Sequence, residues 1–444
     1  MAKEVVTVVG GGLAGSECAL QLAQRGIAVR LYEQRPNGAA PAHHTDRMAE
    51  LVCSNSLKSL REESAAGLLK YELSAMGSHL MRMAKACAVP AGGALAVNRD
   101  DFSEMVTQAI LDNPLIELVR EEVTELPDGR CVIAAGPLCS QALFERLCAL
   151  VGSQHSSFYD AAAPIIDAES IDREIAFSQS RYEDGVGDYL NCQMDREEYD
   201  RFYDALVAAK RVVAREFEEK DLFNACQPVE EVARKGRDTL RFGALKPVGL
   251  NDPRTGRRPW AVVQLRPENA EGTAYNLVGF QTNLTWGEQA RVFRMIPGLE
   301  QAEFFRYGVM HRNSFVDSPR VLDGSFAVPN THIRLAGQIT GTEGYVEAMA
   351  SGLFAAINTY ADIVGAERLV LPKTTAFGSL VAYATNPETE PYQPMHVNFG
   401  LVPPLSGRRM RKGERYAAYA ARAKKDLVDC LALRRDLFAS EVAG

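Results

Sequence analysis

One glycine cluster and two cysteines carry the chemistry that can be read from this sequence. Gly10-Gly11-Gly12-Leu13-Ala14-Gly15 follows a β-branched run, Val5 to Val9, and leads into a helical pattern from Ser16 to Arg25. A second strand-like run, Ile27 to Tyr32, ends at Glu33. Strand, glycine turn, helix, strand and acid in that order are what a dinucleotide-binding βαβ unit requires. Gly10 permits the tight turn, Gly12 lets the backbone approach a pyrophosphate, and Gly15 lets helix and strand pack closely. The helix N-terminus then faces the phosphates, and Glu33 accepts from ribose hydroxyls. An acid there disfavours a 2′-phosphate, so FAD or NAD is expected rather than NADP.

The cysteines offer a nucleophile. Cys53 lies in Leu51-Val52-Cys53-Ser54-Asn55-Ser56, within residues 34–60, which lack clear periodicity and hold His43-His44. A loop that long beside a cofactor turn is more often functional than idle. Cys226 lies in Asn224-Ala225-Cys226-Gln227-Pro228, just before Arg234-Lys235-Gly236-Arg237. Pro228 ends any preceding helix, leaving the thiol at an element boundary with cations close by. A free thiol is only about 3% thiolate at neutral pH, and neighbouring cations raise that fraction. Taken alone, each cysteine reads either as a small buried hydrophobe or as a reactive thiol. His311 and Asn313 stand in Arg306-Tyr307-Gly308-Val309-Met310-His311-Arg312-Asn313, dense in hydrogen-bonding groups, which lines a pocket or satisfies a seam between domains. There is no His-Glu-x-x-His and no Cys/His quartet, so no metal site is expected.

These residues need elements to position them, and 444 residues suffice for two or three domains or one domain with an insertion. At 46% hydrophobic and 24% charged the balance is that of a globular protein. No window of eighteen apolar residues suggests a membrane span, and the first apolar run is too short for a signal peptide. A cytoplasmic protein is expected. Its nine cysteines are odd in number and form no Cys-x-x-Cys pair, which argues against a disulfide framework. The net charge of −8 argues against a generic nucleic-acid binder. Between Leu405 and Arg435, however, ten Lys/Arg stand against three Asp/Glu. With a Debye length of about 8 Å, such a patch attracts nearby phosphate whatever the distant acids do. Arg408, Arg409, Arg411 and Lys412 head it, before a helical segment from Glu414 to Leu433.

Helical patterns run from Ser64 to Met76 and near Phe102 to Leu111; Leu115 to Val119 and Cys131 to Ala135 read as strands. From Phe177 to Arg241 the chain is charged and reads as largely helical, and Ala261 to Leu265 with Tyr275 to Phe280 read as a strand pair. The dinucleotide-type pattern resumes at His332 to Ala336, followed by Gly337-Gln338-Ile339-Thr340-Gly341 and a helix rich in small residues. The N-terminus of that helix, at Gly344, Tyr345 and Val346, suits a ring of partial negative charge such as a reduced flavin, or simply a tight core. The expected fold is α/β: an FAD-binding Rossmann-like domain of the glutathione-reductase type, from residues 1–170 and 316–444. An α+β insertion, residues 171–315, carries Cys226.

Several stretches resemble one family closely, the folate- and FAD-dependent tRNA (uracil-5-)-methyltransferases called TrmFO. They are Gly10 to Gly15, Ala42 to Asp46, Ala49 to Ser59, Asp238 to Gly243, Leu245 to Leu250, Phe305 to Asn313, and Gly337 through Gly352. The resemblance implies that Cys226 attacks uracil C6 and makes C5 nucleophilic. It further implies that a one-carbon unit passes from 5,10-methylenetetrahydrofolate by way of reduced FAD to C5, with NAD(P)H as reductant. Cys53 matches a second catalytic cysteine, which assists at C5 or guards the flavin. The product is 5-methyluridine in the tRNA T loop, and the target base must leave its stack to react.

Three positions depart from the family pattern. Asn224-Ala225 stand where the family has Glu-Gly, and Gln227 where it has an aliphatic residue. Losing an acid beside the thiol eases thiolate formation. Relatives that act on ribosomal RNA keep that target open. The related flavoproteins that modify wobble uridine with a GTPase partner remain a second reading, although their helical partner-binding domain is not recognisable here. A small-molecule oxidoreductase and a non-catalytic RNA-binding flavoprotein are the others. No membrane and no obligatory protein partner are expected.

Overall fold

The computed structural model describes residues 4–38, 43–152, 156–161, 163–182, 187–212, 227–269, 271–308, 310–390, 392–406 and 410–438, with backbone alone for 156–161 and 310–312. The chain enters through β1 (Val5–Val9), α1 (Leu13–Gln24) and β2 (Ala28–Tyr32). A long loop leads to β3 (Ser56–Ser59), α2 (Ala65–Ala75), α3 (His79–Ala86), β4 (Ala88–Val89), β5 (Ala94–Val97) and α4 (Arg99–Leu111). Then come β6 (Ile116–Val119), β7 (Cys131–Ile133) and α5 (Gln141–Val151). Strand β8 (Ser156–Ala161) leads out to β9 (Ile165–Asp167), β10 (Phe177–Ser178), β11 (Leu190–Met194), α6 (Arg196–Ala208), α7 (Val229–Arg234) and α8 (Thr239–Phe242). There follow β12 (Ala261–Pro267), β13 (Ala274–Leu277), α9 (Trp286–Phe293) and β14 (Phe304–Arg306). Strand β15 (Met310–Phe315) returns, and α10 (Ser318–Val321), β16 (Ile333–Leu335), α11 (Tyr345–Val364), α12 (Ala376–Ala384) and α13 (Lys412–Leu433) complete the chain.

Among the described residues, a parallel sheet runs in the order β16-β7-β1-β2-β6. Its strands are short and apolar, as strands covered on both faces must be. The carboxyl ends of β1, β2 and β7 open together, the place where doubly wound sheets bind ligands. Helix α1 meets α11 with no room for a side chain at their closest approach: a Cβ added at Gly352 would sit 2.1 Å from the Ala14 carbonyl oxygen.

A second sheet, β10-β11-β12-β13-β9-β14, is antiparallel and has a core of its own. Leu190, Cys192, Ala261, Val263, Leu265 and Leu277 face that core, together with Phe202 of α6 and Phe293 of α9. The alternate positions, Asn191, Gln264, Arg266 and Asn276, are polar and nevertheless buried. Strands β8 and β15 pair antiparallel between the two sheets, with His311 opposite Asp160 and Asn313 opposite Phe158. Strand β9 lies before residue 171 and already belongs to the second sheet.

Two stretches differ from expectation. Residues 177–241 include a strand, β11, because Leu190-Asn191-Cys192-Gln193-Met194 alternates apolar and polar at the strand period. Residues 34–60 include β3, whose pairing with β5 shifts register between Ser56 and Ser59. Among the described residues, no helix is long and apolar enough to cross a membrane.

The contact at Gly352 yields a prediction of unusual sign. In a helix interior Gly→Ala ordinarily stabilises by about 1 kcal/mol. Here the added methyl must push two helices apart, and Gly352→Ala is expected to destabilise by about 1–3 kcal/mol and to lower FAD content. Urea unfolding with and without added FAD checks this, and a gain in stability contradicts it.

Candidate functional site

A cleft opens at the carboxyl ends of β1, β2 and β7. One end is the glycine turn. Gly10 has φ +104°, and a Cβ on Gly15 would lie 1.8 Å from the Gly10 carbonyl oxygen, so turn and helix close only as glycines. A Cβ on Gly12 would meet nothing within 4 Å, so its face stays open to the cleft. Gly12 caps α1 without a side chain, leaving the first N–H groups of the helix to a ligand. Leu13 and Ala14 line the cleft beside them, whereas Gly11 donates its N–H to Glu33 Oε2 at 2.9 Å.

Glu33 lies at the cleft and is buried. Arg35 donates to it through the backbone N–H, Nε and Nη2, at 3.0, 2.9 and 3.0 Å. Burial alone would raise the Glu33 carboxyl; the Arg35 guanidinium and the N–H donors outweigh it and hold it below the usual carboxylate range. A ribose hydroxyl reaching Glu33 therefore shares the carboxylate with Arg35. Arg35 also donates to Glu50 at 3.1 Å, and Glu50 accepts from the backbone N–H of His44 at 2.8 Å and of Thr45 at 3.3 Å. The aperiodic loop is thus tied to the dinucleotide acid by a buried ion triad.

The other end of the cleft holds Tyr345, the first residue of α11, beside Gly337 and Ala348. Its phenol oxygen accepts from the N–H of Cys53 at 2.7 Å and of Ser54 at 3.2 Å. Burial keeps the phenol well above its usual pKa, so the hydroxyl retains its own proton to donate. Val346 is buried in the first helical turn, and N-cap Gly344 lies against Glu347. Gly341 faces Tyr392 rather than the cleft.

Three arginines hold the Cys53 loop. Arg99, at the start of α4, donates to the Leu51 carbonyl at 2.9 Å and pairs with Glu268 at 2.7 Å. Arg306 of β14 donates to the Val52 carbonyl at 2.6 Å. Arg266 of β12 donates to Asn55 Oδ1 and Ser54 Oγ, both at 2.8 Å, and Asn55 returns a bond to the Pro267 carbonyl at 3.1 Å. Burial lowers the pKa of Arg266 and of Arg306; at Arg99 the Glu268 carboxylate outweighs burial and raises it. Cys53 is partly exposed. Burial raises the thiol pKa of Cys139 and of Cys192 to about 12, which keeps both protonated and inert.

Of the other expected site residues, Cys226, Arg408 and Arg409 lie outside the described residues, as does the His311 side chain. Asn313 is buried, and among the described residues neither polar atom of its amide has a hydrogen-bond partner. Its neighbour Ser314 donates to the carbonyl of Pro137, in the cleft wall. Arg411 and Lys412 begin α13, with the Lys412 ammonium 5.5 Å from the Tyr416 ring. Among the described residues, no cluster of three His, Cys, Asp or Glu could hold a metal. Sequence reasoning missed Arg99, Arg266 and Glu268, whereas Arg306 heads the stretch read as lining a pocket or satisfying a seam. An arginine at an alternate position of the apolar run Ala261 to Pro267 was the available signal.

Arg266→Ala should release Ser54 and Asn55 while leaving the glycine turn intact. Losing charge-assisted bonds worth about 1.5–3 kcal/mol is expected to speed alkylation of Cys53 by iodoacetamide about tenfold or more, with FAD content unchanged. Peptide mapping of the modified thiol reads this out, and an unchanged rate means that the loop is held without Arg266.

Comparison with known proteins follows this geometry. Residues 5–367 match the family model "Glucose inhibited division protein A". A crystal structure of Aquifex aeolicus GidA superposes with a TM-score of 0.70 at 16% identity, over 98% of this chain and 74% of that one, which establishes the fold. The chain is 54% identical to the methylenetetrahydrofolate–tRNA-(uracil-5-)-methyltransferase TrmFO of Anoxybacillus flavithermus, over 94% of this chain and 97% of the relative. It is 53% identical to that of Shouchella clausii, over 96% and 98%, and 54% identical to that of Heliobacterium modesticaldum, over 95% and 97%. The chain belongs to the TrmFO family of folate- and FAD-dependent tRNA uracil methyltransferases.

Proposed function

We infer that this protein methylates C5 of a uridine in tRNA, drawing the one-carbon unit from 5,10-methylenetetrahydrofolate through FAD, with NAD(P)H as reductant. The observation that carries the reading is one cleft with a dinucleotide cradle at one end and the Tyr345–Cys53 contact at the other. The cradle fits FAD: it has an uncapped helix start, an open face at Gly12 and an acid at Glu33. When bound, the flavin supplies the one-carbon relay and the hydride.

The protein's residues do the rest. Gly10 to Gly15 and the N-terminus of α1 hold the pyrophosphate, and Glu33 with Arg35 holds the ribose side. The N-terminus of α11, at Tyr345 and Val346, offers N–H groups and a dipole to a ring edge of growing negative charge. We assign Cys226, in the 171–315 segment, as the nucleophile. Its sulfur bonds to uracil C6, and the displaced electron pair makes C5 nucleophilic. After C5 gains its carbon and loses its proton, the C6–sulfur bond breaks and the thiolate leaves. Cys53 is assigned to the C5 side, where the three arginines and Tyr345 fix its backbone. His311 and Asn313, on the strand whose Ser314 reaches the cleft wall, are assigned to substrate, and the start of α13 to RNA phosphate through Arg408, Arg409, Arg411 and Lys412. A T-loop target, a cytoplasmic location and action without a protein partner belong to this reading.

The test follows carbon label from methylenetetrahydrofolate into RNA, with NADPH and the purified chain alone. Label in tRNA uridine that disappears with Cys226→Ala is the expected result. Label only in ribosomal RNA moves the target and keeps the chemistry. No label in either RNA, from a yellow and reducible protein, overturns the reading.

A further inference from the structure

A second basic stretch lies outside the C-terminal one. Between Arg234 and Arg258 there are eight Lys/Arg and two Asp, in a chain whose net charge is −8. Both acids are engaged by cations: Asp238 pairs with Arg241 at 2.8 Å, and buried Asp252 with Arg254 at 3.0 Å. Arg254, Arg257 and Arg258 are exposed. Among them stand aromatics that a folded surface would ordinarily bury. Phe242 is 84% exposed at the end of α8, and Tyr182 is 74% exposed. Tyr182 is held at φ +65°, in the left-handed region that a bulky side chain seldom adopts. Its N–H donates to the Gly249 carbonyl at 3.0 Å, and its ring lies over Gly249. The Arg241 guanidinium stacks 3.5 Å from the centre of the Trp260 ring. Cations interleaved with exposed rings are the makings of a surface for unstacked nucleic acid.

Strand β12 relates this surface to the catalytic cleft. Just before it Trp260 meets Arg241, and at alternate positions along it the Val262 N–H donates to the Leu245 carbonyl at 3.1 Å, Gln264 accepts from Arg181 at 2.8 Å, and Arg266 holds Ser54. Arg181 also donates to the Val248 carbonyl at 2.7 Å, which ties the Tyr182 turn to the 243–250 loop. At about 3.3 Å per residue, the line from Trp260 to Arg266 spans about 20 Å. The surface is therefore linked to the loop that carries Cys53 through the buried alternate face of β12.

We propose that the face formed by Phe242, Arg257 and Arg258, with Tyr182 and backed by the Arg241–Trp260 stack, grips the tRNA substrate on the flank of the target uridine. The cations take the phosphates, and Phe242 stacks on a base unpaired when the target is drawn out. This rests on the function proposed above and adds the surface that presents the RNA. It is separate from the α13 start, which lies on a helix packed against α2.

The test measures binding of unmodified tRNA to the FAD-loaded protein across a salt series. Arg257→Ser/Arg258→Ser is expected to lower the slope of log affinity against log salt by about 1–2. Phe242→Ser should weaken binding about tenfold at unchanged slope, and Phe242→Trp should restore it. FAD content, unfolding midpoint and flavin reduction by NADPH should stay at wild-type values. If the wild type methylates tRNA while both variants bind it normally, the surface assignment is overturned and the function stands. A wild type that binds no tRNA overturns both. If Phe242→Ser instead changes the sedimentation coefficient, the face joins copies of this chain and the RNA assignment fails.

Discussion

The structure depends on two helices touching backbone to backbone. Gly352 lets α11 approach the Ala14 carbonyl of α1, and Gly15 lets α1 approach the turn it leaves. The result is that two helix N-termini belonging to distant parts of the sequence open on one cleft, one at Gly12 and the other at Tyr345. Each end presents N–H groups and the positive pole of a helix dipole. A cofactor that carries both a pyrophosphate and an electron-accepting ring suits two such positive poles on one cleft. A larger side chain at Gly352 would separate the helices and with them the two halves of the site, and one at Gly15 would push α1 off the turn.

The second constraint is a polar seam between the domains. A buried arginine costs free energy unless its donors are met, and a seam of satisfied bonds specifies one arrangement where an apolar seam would tolerate several. Arg266 and Arg306 reach from the second sheet to Ser54, Asn55 and the Val52 carbonyl, while Arg99 reaches the Leu51 carbonyl from the first domain. The Cys53 loop is therefore shaped by both domains at once. Ala49 and Lys58, on either side of it, sit at φ 53° and 66°, a strain that persists only where surroundings impose it. Lys58 in turn reaches Glu347 in the first turn of α11, at 3.5 Å.

Much of this was legible in the sequence, and the reason differs from part to part. The glycine turn could be read because its chemistry is local: Gly10, Gly15 and Glu33 act within one βαβ unit of fixed spacing. The strand at Ile333–Leu335 and the helix at Tyr345 could be read from apolar runs bounded by glycine. Strand β11 was hidden by its charged flanks although its five residues alternate. The arginine seam was legible only at Arg306, whose stretch read as a pocket wall or a seam; Arg99 and Arg266 are far from it in sequence and share its role only once the chain folds. The same holds for the Tyr345 phenol, which is 292 residues from the Cys53 N–H it accepts. Exposure is likewise a property of the fold, so Phe242 could not be told from a core phenylalanine by its neighbours.

The most direct measurement is a crystal structure of the FAD-loaded protein. The account predicts the pyrophosphate against Gly10 to Gly15 and the isoalloxazine ring at Tyr345, in contact with the Cys53 loop. A flavin bound with its ring turned away from Tyr345, or with its phosphates anywhere other than the glycine turn, would contradict the account at its centre.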